Sequence, residues 1–399
     1  MTQVQDSASP APAAPDSALR GWLGVGAVTG ATFTVVTSEM LPVGLLTPIS
    51  GALRVSEGAA GLSLTATGLV AAVSAPLITG ALGRTDRRLV LCVLLAVLTL
   101  GNVGAAWSPN FPVMMAARVL VGIGIGGVWA IAASLAARLV PAESIGSATA
   151  LVYSGVAVAS VIGVPAGTYI GALAGWRAAF LVIAALAVVV LIAIAVLLPR
   201  LTVAQSVPLR EALGLTREPQ LRTALLVVAF LVTGHFAAYT YIRPLLEKVT
   251  GIGASAIGTL LLVYGIAGVI GNFSSGAAGV RDPRRMLMTI TVPLAVTVLL
   301  IPVLGGSLWL AVALMVAWGL SYGGVSVTTQ NWAFAAAPRA REAASSLNAC
   351  VFNAAIALGA LAGGRMADAF GVTSAMWLGG ALVIAALLIA AAGRAPEQA

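Results

Sequence analysis

The sequence predicts an all-α membrane protein of twelve transmembrane helices, arranged as two pseudo-symmetric halves of six. Three observations predict it. First, the 399 residues are 60% hydrophobic and only 9% charged, with mean hydropathy +1.04. A soluble domain carries about 25% charged residues, so this chain needs a bilayer to cover its apolar surface. Second, apolar runs of spanning length occur twelve times. Third, a short charged loop occurs twice, about 196 residues apart, close to half of the length. Fibrous and disordered classes are excluded, because both need polar or strictly periodic sequence.

A spanning helix needs about 20 apolar residues. Charged residues and Pro, Gly or Asn breaks delimit runs at roughly 22–49, 57–82, 88–107, 111–138, 145–172, 177–198, 222–246, 254–279, 286–304, 307–334, 343–367 and 372–393. Span 1 carries Glu39, and its prolines Pro42 and Pro48 predict a kink or loosening near one end. Spans 2 and 3 flank the loop Gly83-Arg84-Thr85-Asp86-Arg87-Arg88. Span 4 holds Arg118 and the glycines 122, 124, 126 and 127. Span 5 holds Gly155, Gly163, Pro165, Gly167 and Gly171, and such glycines let helix backbones approach and slide. Span 6 is an uninterrupted apolar run, and span 7 contains His235. Spans 8 and 9 flank Gly279-Val-Arg281-Asp282-Pro-Arg284-Arg285, the second copy of the charged loop. Spans 10 and 11 carry aromatic and amide residues, and span 12 is apolar throughout.

Further landmarks repeat with the loop. Pro141 and Glu143 before span 5 answer to Pro338 and Glu342 before span 11, and Gly175 answers to Gly371. The chain therefore divides into a disordered tail (1–20), a six-helix bundle (21–198), a basic linker (199–221), a second bundle (222–394) and a short tail (395–399). The first residues are rich in Ala, Pro and Ser and lack the basic region of a signal peptide. Parallel repeats of this kind are the layout of secondary transporters, which handle substrate between the halves.

Basic residues set the orientation. With the N-terminus in the cytoplasm, fifteen arginines fall inside: 20, 84, 87, 88, 138, 200, 210, 217, 222, 281, 284, 285, 339, 341 and 394. Three basic residues fall outside: Arg54, Arg177 and Lys248. The positive-inside rule then places both termini in the cytoplasm. The net charge of +8 reads as this loop bias, not as a nucleic-acid surface. Cys92 and Cys350, the only cysteines, lie far apart in apolar runs and read as small core fillers, with no metal spacing.

Ionisable groups within spans are costly there and are candidates for function. Glu39 is the one acid well inside a span, about 13 residues and so about 20 Å along it. A carboxyl so placed can take up and release a proton, or it can be a permanently paired anchor. Arg118, at comparable depth in span 4, is its natural partner, either tuning that proton or clamping two helices. His235, the only histidine, can relay a proton, donate a hydrogen bond to substrate, or be a satisfied interior residue. Arg243 near the end of span 7 can attract an anionic group or snorkel to the interface. Trp129, Phe236, Tyr239, Tyr241, Tyr264, Trp318, Tyr322, Gln330, Asn331, Trp332, Asn348 and Asn353 supply ring faces and amide edges for a flat polar ligand, although each aromatic alone can equally be packing. Trp107, Trp176 and Trp377 at span ends read as interface anchors.

These motifs resemble the major facilitator superfamily, over about residues 20–394, and within it the twelve-span drug:proton antiporters. Gly80-Ala-Leu-Gly-Arg84-Thr-Asp86-Arg87-Arg88 resembles that family's loop between spans 2 and 3, whose Asp and Arg residues latch one conformation; the usual glycine between the later basic residues is missing. Arg118-Val-Leu-Val-Gly122-Ile-Gly-Ile-Gly126 resembles the span-4 motif, whose arginine takes part in proton transfer. Gly155 through Gly163-Val-Pro165-Ala-Gly167 and Gly171 resembles the span-5 antiporter motif, with Gly and Pro one residue further apart than usual. Glu39-Met-Leu-Pro42 through Pro48, Thr85 to Arg88, Gly126-Gly-Val-Trp129, Leu139-Val-Pro141 and Tyr239-Thr-Tyr-Ile-Arg243-Pro244 are similar to the bacterial purine ribonucleoside efflux pumps.

The resemblance implies a proton-coupled exporter of a purine nucleoside-like molecule, working by alternating access in a bacterial inner membrane. It implies Glu39, Arg118 and His235 in proton coupling. A chloramphenicol or sugar exporter, or a proton symporter, are the alternatives. An enzyme is not expected, because one histidine and one deep acid build no catalytic constellation. No metal or other cofactor, no nucleic acid and a monomeric state are expected. The partners are a small molecule, protons and the lipid bilayer.

Overall fold

The computed structural model describes residues 18–81, 85–141, 144–201, 214–279, 282–337 and 341–393. Residues 1–17 and 395–399 of the expected tails, most of the linker, Arg84 and Glu143 lie outside the described residues, while Ala18 to Arg20, expected in the disordered tail, open the first helix. The first half comprises α1 (Ala18–Leu53), α2 (Glu57–Ala81), α3 (Arg87–Ala106), α4 (Phe111–Leu139), α5 (Ile145–Val158), α6 (Val164–Ala174) and α7 (Trp176–Leu197). The second comprises α8 (Pro219–Tyr239), α9 (Ile242–Leu245), α10 (Ala254–Gly279), α11 (Pro283–Leu304), α12 (Leu308–Gly323), α13 (Val325–Ala336), α14 (Arg341–Phe370) and α15 (Val372–Ala392). Among the described residues, twelve stretches are long and apolar enough to cross a membrane.

Three spans are composite. A π-helical turn, Ala159–Gly163, joins α5 to α6. It sits directly before Pro165, which lies in the first turn of α6 and cannot donate its own hydrogen bond. The α8–α9 span breaks at Thr240 and Tyr241, and α12 gives way to α13 at Gly324.

The expected kink in span 1 takes a different form. α1 runs as one helix of 36 residues through both prolines. Each proline leaves the carbonyl four residues earlier without its helical donor. Those carbonyls belong to Ser38 and Gly44, and an arginine donates to each: Arg118 Nη1 to Ser38 O at 3.0 Å, and Arg243 Nη1 to Gly44 O. Bonding from outside keeps the helix intact.

The duplicated loop repeats in three dimensions. Asp86 caps α3 by accepting from Arg88 N at 3.0 Å, and Asp282 caps α11 by accepting from Arg285 N at 3.0 Å. Arg88 Nη1 donates to Leu198 O at the end of α7. Arg284 donates to Ala390 O and Ala391 O, both at 2.7 Å, at the end of α15. In each half a cation thus meets the carbonyl end of the last span, where the helix dipole favours it. Gly175 (φ 84°) and Gly371 (φ 87°) take the same left-handed turn before the final helix of each half.

Within the first half α3 and α2 lie against α4, and α1 crosses α4, α5 and α7. In the second, α8 lies against α14 and α15, and α10 and α11 against α12. The halves meet through α2 with α14, α6 with α10 and α1 with α9. One apolar core joins both halves around Leu41, Leu45, Tyr239, Tyr241 and Leu245. Towards Asp86 and Asp282 the core separates into two clusters, one in each half, around Leu94 and Ile125 and around Leu221 and Ala333. Among the described residues the apolar core is therefore continuous between the halves at the α1–α2 end and divided at the other.

Two minor expectations fail. Trp176 is no interface anchor: it is buried edge-to-face on Phe180, with the Arg177 guanidinium over its ring. Cys350 is exposed and fills no core, whereas Cys92 is half-buried and packs against the first-half core.

Candidate transport site

Glu39 is 4% exposed, and its Oε1 has no hydrogen-bond partner. Arg118 is fully buried. Its guanidinium does not pair with the Glu39 carboxylate. It donates to three backbone carbonyls: Ser38 at 3.0 Å, Glu39 at 3.2 Å and Ser63 at 3.2 Å. Of the two roles expected for Arg118, the contacts are those of a clamp: the arginine grips the α1 backbone at the residue bearing the carboxylate and ties it to α2. Pro42 supplies one of these acceptors, because it leaves the Ser38 carbonyl without its helical donor. Removing the fork leaves the buried Ser38 carbonyl, whose helical donor Pro42 removes, without a partner, at about 1–3 kcal/mol, and frees α1 from α2. Arg118→Ala is expected to lower the melting temperature in detergent by several degrees, and Arg118→Lys to recover only part, since one ammonium lacks the planar fork. Unchanged melting in Arg118→Ala would contradict the clamp.

A second polar centre lies in the other half. His235 is 1% exposed and stacks on Tyr322 with ring centroids 3.3 Å apart, and on Tyr239 at 5.2 Å. Phe236 meets it edge-on at 4.9 Å. Trp318 Nε1 donates to His235 Nδ1 at 3.0 Å. His235 Nε2 and the Tyr322 hydroxyl are buried without partners. Tyr264 extends the cluster by stacking on Tyr239 at 4.9 Å.

The remaining candidates are distributed otherwise. Trp129 belongs to the separate first-half cluster beside Leu94, not to the ring cluster. Tyr241 is fully buried and its hydroxyl donates to Ala360 O at 2.8 Å, so it joins helices instead of facing a ligand. Arg243 bonds Glu247 at 2.9 Å and the Gly44 carbonyl, which satisfies its charge within the protein. Trp332 is buried with its Nε1 unpartnered. Asn348 donates to Gln330 at 3.2 Å and Asn353 to its own helix at Ala349 O, 2.8 Å; Asn331 is partly buried in α13. The sequence places these side chains within spans, but helix rotation decides which face they occupy.

The latch and antiporter residues have clear local roles. Asp86 accepts from Leu201 N at 2.9 Å as well as from Arg88 N, and Arg87 N donates to Leu201 O at 2.8 Å. These bonds stay within the first half. Gly80 lies in the last turn of α2, and Arg84 is outside the described residues. A methyl group at Gly155, Gly163, Gly167 or Gly171 would strike Thr29 and Thr32, Thr37, Leu41 or Leu45 respectively. Those contacts recur at helical spacing along α1, so the glycines let α5 and α6 lie directly against the helix that carries Glu39.

The family model described as Major Facilitator Superfamily matches residues 28–339 and 225–398. The chain belongs to that superfamily. Its relatives include "Transcription regulatory protein OpdE" of Pseudomonas aeruginosa, 35% identical, the match covering 94% of this chain and 95% of that protein. They also include "Purine ribonucleoside efflux pump NepI" of Salmonella paratyphi A, 32% identical over 93% of this chain and 94% of that one. Solved structures share the fold. A bacterial homolog of the human lysosomal transporter Spinster, inward-facing and unoccupied, superposes with a TM-score of 0.72 at 18% identity, covering 94% of this chain and 97% of that one. The nucleoside transporter NupG gives 0.71 at 14% identity, covering 93% and 98%. This major facilitator protein is a multi-pass membrane transporter and not an enzyme.

Proposed function

We propose that the chain is a monomeric, proton-coupled exporter of an uncharged planar molecule of the purine ribonucleoside class, acting in a bacterial inner membrane with both termini in the cytoplasm. The observation that carries this reading is Glu39: a buried carboxyl in a membrane span, with one oxygen unpartnered and its neighbouring arginine already satisfied by backbone. Such a group is available to exchange a proton as its surroundings change. Similarity to the NepI pumps over most of the chain supports the substrate class. The bundles of 21–198 and 222–394 rock against one another, the Asp86 loop latches the alternate state, and no cofactor is needed. His235, Phe236 and Tyr239 of the buried ring cluster are the substrate side of this reading, and ligand binding drives the exchange by differing between the two states.

Everted vesicles test the reading directly. Acidifying their interior should make them accumulate radiolabelled inosine, and collapse of the gradient should release it. If a sugar or an amphenicol exchanges and no nucleoside does, the substrate class is wrong. If inosine accumulates only with an alkaline interior, the coupling is symport.

A further inference from the structure

We infer that Trp318 locks His235 in one uncharged form, whose Nε2–H is the hydrogen-bond donor that the second half presents to the transported molecule. An indole nitrogen can only donate. Because Trp318 Nε1–H points at His235 Nδ1 from 3.0 Å, Nδ1 must hold a lone pair, and the single proton of the neutral ring sits on Nε2. Tyr322 and Tyr239 pack on the ring faces and Phe236 closes one edge, so the ring cannot turn Nε2 elsewhere. A second proton would have to enter at Nδ1, against the indole N–H. Nothing around it invites that proton. The titratable groups in its ring cluster are the hydroxyls of Tyr239, Tyr322 and Tyr264. The helices α10, α12, α13 and α15 carry no Asp, Glu, Lys or Arg. On α8 the charge is Arg222, and on α14 the charges are Arg341 and Glu342 at one end and Arg365 and Asp368 at the other.

The repeat says where this donor stands. Val36-Thr-Ser-Glu39 recurs as Val232-Thr-Gly-His235, 196 residues on, the same interval that separates Asp86 from Asp282 and Gly175 from Gly371. His235 is therefore the second half's counterpart of Glu39, on the first span and at the same depth. One position of the repeat holds the carboxyl in one half and a fixed neutral donor in the other. Beside it the Tyr322 hydroxyl is a second buried group without a partner. Together they suit an uncharged ligand that turns a ring carbonyl, ring nitrogen or hydroxyl acceptor towards α8 and α12. The ligand rests on the transport reading above; the protonation form does not.

The test uses the chain's single histidine, which gives one imidazole signal set in nitrogen-15 histidine-labelled protein in lipid nanodiscs. The Nε2–H neutral form should persist across about pH 5 to 8, the range in which a free imidazole titrates. In Trp318→Phe the ring should titrate within that range. An imidazolium or an Nδ1–H signal in the unmodified protein overturns the inference. In inosine counterflow, His235→Phe should raise KM about tenfold, the loss of about one buried hydrogen bond. His235→Gln, which keeps an N–H near the Nε2 position, should raise it less and keep the pH profile. A changed pH profile in His235→Gln also overturns it. Absence of inosine counterflow in the unmodified protein would sink the nucleoside reading alone, because the imidazole signal is read without substrate.

Discussion

Glu39→Gln is expected to abolish uphill, proton-driven export while the protein still folds. The substitution keeps shape and polarity and removes only the ability to carry a proton. Glu39 makes no ion pair with Arg118, whose fork bonds the backbone of Ser38, Glu39 and Ser63. The clamp is therefore untouched by the change, and melting in detergent should match the unmodified protein. Coupling between sites is worth about 1–3 kcal/mol, or about 5- to 150-fold. The accumulation ratio in everted vesicles should accordingly fall by about tenfold or more, and the remaining transport should lose its dependence on the pH gradient. Undiminished pH-driven accumulation would remove Glu39 from the proton pathway.

Gly61→Ala is expected to hold the α1–α2 end open. A methyl on Gly61 would occupy the place of the Tyr241 hydroxyl, which crosses from the second half and bonds Ala360 O at 2.8 Å. A methyl on Gly364 would strike the same hydroxyl from the other side, so the tyrosine is wedged between glycines of α2 and α14. Nearby, Asp368 of α14 accepts from Ser56 Oγ at 2.6 Å and Gly58 N at 3.0 Å, placing its carboxylate at the start of α2, where a helix favours negative charge. Overpacking a fitted joint costs about 1–3 kcal/mol, and about 1.4 kcal/mol shifts a two-state equilibrium tenfold. Spin labels on exposed positions of the two halves at this end should report a longer separation, with a fall in export of about tenfold. Adding Tyr241→Phe removes the struck oxygen and should restore part of the closure. Normal spacing in Gly61→Ala would show that the joint yields without opening.

Much of this architecture is legible in the composition. Twelve apolar runs predict twelve spans because bilayer thickness fixes helix length, and the 196-residue interval carries over to matched caps at Asp86 and Asp282 and matched turns at Gly175 and Gly371. The site is only partly legible. His235, Phe236 and Tyr239 are sequence neighbours on one helix face, and they do cluster. Trp129, Tyr241 and Arg243 are as suggestive in sequence yet belong to joints and cores, because inside a membrane apolar residues surround the helix and no periodicity reveals its rotation. The Arg118 contact had a signal that pairing by charge overlooks. A proline within a helix marks an unbonded carbonyl four residues back, and Pro42 marks Ser38.

The two prolines of α1 place otherwise identical sockets in unlike company. The Ser38 socket is filled by Arg118 from the same half, so the two travel together and the contact survives any movement between bundles. The Gly44 socket is filled by Arg243 from the opposite half and by Thr168 Oγ1, at 3.3 Å, from its own, alongside Thr47 to Glu247 at 2.7 Å and Lys248 to Glu57 at 2.9 Å. On the transport reading proposed above, opening of this end pulls the arginine from the Gly44 carbonyl and leaves Thr168 in place. Pro48 thereby turns a point on a helix into a docking berth between the halves, and on that reading the strength of the berth helps to set how long the gate stays shut.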